Sequence, residues 1–307
     1  MITEEAIKSR RRTAAAARMP AYGWVGLGSM ILFEILLFAT NNTLIGWFFT
    51  PIQWTGLILF LDGLRKRRRG ESLISDHPRE LFLLAAISIG SWCIFEGYNL
   101  LLRNWTYVGM PDNLWIRYFG YAWAFATISP GMFLIYETVS DLFPGGPDTR
   151  VGPTGQVPGE DTTTYPRMQD ALFWPFVVFG FLCLVIPLIF PSTGMTPLVW
   201  MGFAFFLDPI NGRRGDRSIL AEFFTGQRRS MPLFFLAGLL AGFVWEFWNY
   251  WALAKWHYDV PYFGHVRLFE MPVLGFLGFM PFIIESHAIY RFMRRLIPIR
   301  DEARYLG

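Results

Sequence analysis

Two cysteines and four histidines are all that the 307 residues offer in those side chains. Cys93 and Cys183 both fall in apolar stretches, so neither a disulfide framework nor a thiolate metal centre is expected. Of His77, His257, His265 and His287, only His287 lies within an apolar stretch, which excludes opposed pairs for b-type haems. GxSxG, P-loop, HExxH and GxGxxG patterns are missing from any suitable context. No nucleotide or flavin motif is present, and no cofactor is assigned. Charged residues make up 17% of the chain, and its basic patches sit beside apolar stretches, so nucleic-acid binding is not supported.

Apolar and aromatic residues take their place. The chain is 53% hydrophobic and 18% aromatic, with 31 Phe and 13 Trp, beyond what a soluble domain carries. The apolar stretches run for roughly 18 to 25 residues, the length an α-helix needs to cross about 30 Å of hydrocarbon, and not for the short alternating strands of a barrel. The expected fold is an all-α integral membrane protein with about eight transmembrane helices. They are placed at 22–40, 44–63, 80–102, 115–142, 171–191, 196–210, 231–253 and 268–290. All but Arg103, Arg117, Lys255 and Arg267 of the 27 lysines and arginines then fall on one side, which predicts that both termini are cytoplasmic. The first span follows "SRRR", carries Glu34 and ends in "FATNN" with no small-x-small cleavage site, so it is read as retained. The expected location is a bacterial cytoplasmic membrane.

An internal repeat organises the chain. Residues 50–74, "TPIQWTGLILFLDGLRKRRRGESLI", match 196–220, "TPLVWMGFAFFLDPINGRRGDRSIL", without a gap at ten identical positions, among them Trp54/Trp200, Gly56/Gly202 and Asp62/Asp208. The register continues with small gaps, pairing Glu96 with Glu246, Asn99 with Asn249, Trp105 with Trp256 and Tyr107 with Tyr258. Two parallel four-helix repeats are therefore expected, 22–142 and 171–290, related by a pseudo-twofold along the membrane normal. A basic segment 1–21, a Pro, Gly and Thr-rich cytoplasmic linker 143–170 and a basic tail 291–307 complete the chain.

The repeated carboxylates carry the functional expectation. Glu96 and Asn99 share a helix face, as do Glu246 and Asn249. A charge at mid-bilayer costs from about 2.5 to over 10 kcal/mol, so such residues turn inward and pair. Desolvation favours a neutral acid able to donate a proton, and Trp92, Trp245, Trp248, Tyr98 and Tyr250 would surround it with π-faces that stabilise a cation. The plain alternative is that each Glu and Asn simply locks the bundle. His257 and His265, with Asp259 and Glu270, are weak metal candidates at the outer end of the second repeat. The paired Trp and Tyr of the outer loops are expected as an interfacial belt. Asp62 and Asp208 are read as ending their helices in a salt-bridge cluster, with an anionic head-group site in "RKRRR" and "RRGDR" as the alternative. Glu34, Glu137 and Glu285 are read as proton-path members or polar glue. Gly275 and Gly278 should permit close helix approach, and Pro281, aligned with Pro130, should kink its helix.

An acidic residue in a span, then "W-x-Y" in a loop, then the Pro- and Gly-rich "FEMPVLGFLGFMPF", resembles polytopic membrane proteins of carotenoid biosynthesis, the small lycopene cyclases and carotenoid hydratases. The likeness spans about 45 residues of each half. It departs from the cyclase pattern in that Glu270 precedes Pro272, where two adjacent glutamates would follow a proline. It implies protonation of a polyene, with Glu246 and Glu270 as the transferable acids. The leading expectation is binding of, or action on, a long isoprenoid or lipid molecule between the repeats, with Glu246 and Glu96 catalytic. A solute or proton transporter and a non-catalytic subunit of a membrane complex stand beside it.

Overall fold

The computed structural model describes residues 18–143, 168–259 and 264–297. The described chain is mainly helical. α1 is Ala21–Thr40, α2 Thr43–Arg69, α3 Pro78–Leu102 and α4 Leu114–Leu142. In the second half come α5 Asp170–Ile189, α6 Thr196–Arg213, the short α7 Ile219–Phe224, α8 Ser230–Trp251 and α9 Phe279–Leu296. Four short strands interrupt them: β1 Trp105–Val108, β2 Lys255–Tyr258, β3 Arg267–Leu268 and β4 Met271–Pro272.

Among the described residues, six segments are long and apolar enough to cross a membrane: Ala21–Thr40, Thr43–Arg69, Pro78–Leu102, Asp170–Ile189, Ser230–Trp251 and Val273–Leu296. The protein is thus a helical integral membrane protein. Of the eight sequence-derived spans, those at 115–142 and 196–210 form helices α4 and α6 but fall outside this set. Polar and charged residues lower their mean hydropathy: Arg117, Glu137 and Asp141 in α4, and Asp208, Asn211 and Arg213 in α6. The basic segment 1–17, residues 144–167 of the linker and the tail from 298 lie outside the described residues.

Local chemistry sets the ends of these elements. Asn42 and Asn113 open α2 and α4 by accepting the orphan N–H groups of the first turn, at 2.9 Å from Leu44 and from Trp115. Pro78 opens α3, where its missing N–H costs nothing. Each half packs its helices in the same pattern: α1 lies on α2, and α2 and α3 on α4, as α5 lies on α6, and α6 and α8 on α9. Contacts of α4 with α8 and of α9 with α3 join the halves. The first pairing in each half depends on glycine, since a Cβ on Gly26 would stand 2.5 Å from the Gly56 carbonyl and one on Gly180 would stand 2.8 Å from that of Gly202.

Aspartates secure the arginine-rich end. Asp62 accepts the Leu73 N–H and Ser72 hydroxyl, both at 2.6 Å, and Asp208 accepts the Ile219 N–H at 3.0 Å and the Ser218 hydroxyl at 2.5 Å. Neither residue ends its helix or meets the arginines that follow, which corrects the reading from sequence. Each carboxylate instead satisfies backbone N–H groups of the segment that follows its helix, Leu73 for Asp62 and Ile219 and Leu220 for Asp208. The cations instead pair with other acids: Arg65 and Arg69 with Glu137 (2.7 and 3.5 Å), Arg217 with Glu222 (2.7 Å) and Arg294 with Glu80 (2.9 Å). Glu137 is therefore half of a buried ion-pair cluster. Glu285 accepts the Phe203 N–H at 2.8 Å, and Glu34 lies 3.5 Å from Gln53 Nε2, so both join neighbouring helices.

The proline and glycine expectations for the last span need correction. A 3₁₀ helix, Val273–Gly278, precedes α9, and Pro281 falls in the first turn of α9, where its missing N–H breaks no helical hydrogen bond. α4 continues through Pro130. Gly278 has open space where a Cβ would stand, and Gly275 faces its own Met271. The close approach to α9 is made by Gly238 and Gly242 of α8, which lie against Phe279.

Candidate functional site: an aromatic cavity behind two paired strands

At the end opposite the arginines, β1 and β2 pair antiparallel, with Trp105 opposite Tyr258, Thr106 opposite His257 and Tyr107 opposite Trp256. Each strand is held by the helix that precedes it. Asn99 accepts the N–H groups of Asn104 and Trp105 at 2.9 and 3.1 Å and donates to the Trp105 carbonyl at 2.9 Å. Asn249 accepts the Trp256 N–H at 3.0 Å and donates to the Trp256 carbonyl at 2.9 Å. One helical turn away, Glu96 receives Trp92 Nε1 (2.9 Å), Trp105 Nε1 (3.2 Å) and the Tyr107 hydroxyl (2.5 Å). Glu246 receives the Tyr258 hydroxyl at 2.9 Å and Trp256 Nε1 at 3.4 Å. The spacing that put Glu and Asn on one face thus serves a single purpose: the amide fixes the strand backbone and the carboxylate fixes its side chains.

The loop aromatics therefore turn inward, which corrects their expected place in an interfacial belt. Trp105 is buried, while Tyr107, Trp256 and Tyr258 are half-buried. Burial first, and then the adjacent glutamate, push the Tyr107 and Tyr258 phenols well above the ordinary tyrosine value, so both remain donors. The inward choice follows from chemistry that composition does not reveal. A buried carboxylate needs donors, and the indole and phenol of W-x-Y are the nearest.

Behind this wall lies a cavity of about 440 Å³, in the range that holds a small organic molecule. Trp92, Trp105, Trp200, Trp245, Trp256 and Phe282 form much of its surface. Their rings meet at 5.3 Å between Trp92 and Trp245, 5.6 Å between Trp245 and Trp256, and 5.0 Å between Trp200 and Phe282. On the other side of Trp92 and Trp245 a smaller space of about 60 Å³ is lined by Trp54, Tyr121 and Arg117. The aligned residues Trp54 and Trp200 thus occupy opposite chambers.

Of the residues singled out from sequence, Trp92 and Trp245 line the cavity. Glu96 and Glu246 stand behind its aromatic lining, with Asn99 and Asn249. Trp248 packs on Trp54 at 5.6 Å, Tyr98 donates to the Leu184 carbonyl at 2.9 Å, and Tyr250 is exposed beneath Lys255. Glu270 pairs with Lys255 at 2.8 Å, with His257 Nε2 at 3.7 Å. His265 is exposed, and among the described residues no three His, Cys, Asp or Glu side chains come together. Sequence reasoning missed Trp105, Trp200, Trp256 and Phe282 as lining residues. The duplicated Trp54/Trp200 pair was the available signal for this surface.

Comparison with known proteins returns no match to a family model, to a curated protein or to a solved structure.

Proposed function

We propose that this protein is a bacterial inner-membrane protein that binds a long, uncharged isoprenoid or lipid chain in the aromatic cavity. The observation that carries this reading is the cavity itself: about 440 Å³ bounded by indole and phenyl rings, with no charged side chain among its described lining residues. A polyene or saturated isoprenoid buries apolar surface there at roughly 25 cal/mol per Å². The resemblance to carotenoid-biosynthesis membrane proteins names the same class of molecule. Glu96 and Glu246 hold the wall, each engaged by indole and phenol donors.

This reading includes eight spans arranged as two parallel repeats with cytoplasmic termini. Three paired features support the repeat: the Asp62 and Asp208 turns, the two Glu/Asn/Trp/Tyr clamps, and a strand register symmetric about Thr106 and His257. Arg67 and Arg68, exposed at the arginine end, suit contact with anionic lipid head groups.

Purification in mild detergent, organic extraction and mass spectrometry with absorbance spectroscopy test the function. An apolar chain should co-purify with the wild type and be depleted from Gly278→Phe, which fills the cavity wall. Extracts identical to those of an unrelated membrane protein prepared alongside would sink the proposal.

A further inference from the structure

Most polar groups around the cavity are already satisfied, the buried Trp245 Nε1 being one that has no partner among the described residues. Trp92, Trp105 and Tyr107 donate to Glu96, and Trp256 and Tyr258 donate to Glu246. Thr193 donates to the Leu102 carbonyl at 3.1 Å and Thr196 to that of Thr193 at 2.8 Å. Asn104 differs. Arg103, in the left-handed region at φ 55°, turns the chain at the end of α3 and brings Asn104 into the cavity lining. Its backbone is committed, with its N–H on Asn99 Oδ1 at 2.9 Å and its carbonyl accepting the Asp259 N–H at 2.8 Å. Its side-chain amide makes no hydrogen bond among the described residues, although the residue is only 6% exposed. At the aligned position of the second half, Lys255 turns instead to Glu270.

A neutral amide both donates and accepts, and leaving it unpaired in an apolar cavity is costly. The group that completes it must be polar, and the uncharged lining disfavours an ion there. Leu274 and Leu277 line the cavity while 53% and 56% exposed, so a thin apolar wall separates it from the surroundings. That suits a ligand arriving from the bilayer. Resting on the function proposed above, we infer that the ligand is a neutral lipid with a hydroxyl or carbonyl oxygen at one end of its chain, and that Asn104 recognises this oxygen.

The test uses the full-length protein in nanodiscs and matched isoprenoids of one chain length, as alcohol, aldehyde, hydrocarbon and monophosphate, with binding read by tryptophan quenching. The alcohol or the aldehyde should bind about tenfold more tightly than the hydrocarbon. Asn104→Leu should abolish that preference, so that the oxygenated chains bind it no more tightly than the hydrocarbon does. If the leucine variant does not fold, the same ratio is read in Asn104→Ala. Equal binding of oxygenated and plain chains by the wild type, strongest binding of the monophosphate, or a preference surviving in the variant would overturn the assignment of Asn104. Failure of all four to bind would overturn the proposed function with it.

Discussion

Replacing the two asparagine clamps gives a graded test of how the strand pair is held. Asn99→Ala removes the partner of three backbone groups, the N–H of Asn104 and both the N–H and carbonyl of Trp105. Asn249→Ala removes the partner of two, the N–H and carbonyl of Trp256. A buried polar group left unpaired costs about 1–3 kcal/mol, and the lower figure applies near a water interface. Asn99→Ala should therefore destabilise by about 3 kcal/mol and Asn249→Ala by about 2 kcal/mol. Burial widens the gap, because Trp105 is less exposed than Trp256. Unfolding in mixed micelles titrated with dodecyl sulfate, followed by far-ultraviolet circular dichroism, measures both. Losses below about 0.5 kcal/mol for both variants, within the spread of an ordinary surface substitution, or a larger loss for Asn249→Ala, would show that the amides do not hold the strands.

Three further outcomes follow from the arginine end. Arg217→Ala leaves Glu222 buried without its cation and should cost about 3 kcal/mol in the same assay. Asp62→Ala and Asp208→Ala should each lose about 3 kcal/mol, because Asp62 holds the Leu73 N–H with the Ser72 and Tyr22 hydroxyls, and Asp208 the Ile219 and Leu220 N–H groups with the Ser218 hydroxyl. Burial pushes the Asp76 carboxyl up, but Lys66, the Ser72 N–H and Ser75 outweigh it and hold the carboxyl below the usual range. Its contribution is present above the unfolded aspartate value of about 3.9 and disappears as pH falls through the lower folded value. An acid titration of stability should thus show less loss below about pH 4 in Asp76→Asn than in the wild type.

The helical membrane character was legible because apolar length is a fixed signature for a span. The direction in which Glu96 and Glu246 find their partners was not legible. Helical spacing says which residues share a face, but it does not say where the chain returns after Arg103 or Ala252. The tryptophans of W-x-Y pose the same difficulty, since an indole suits both a membrane interface and a buried carboxylate. Gly275 and Gly278 were misjudged because a missing side chain permits either a close neighbour or an open space. The sequence contains no local mark that separates the two.

The register that sets Trp105 against Tyr258 and Tyr107 against Trp256 is self-complementary. A W-x-Y strand needs only another W-x-Y strand, running the other way, to close its edge. In this chain each strand finds that partner within the same polypeptide, so neither β1 nor β2 leaves the edge that faces the other unpaired.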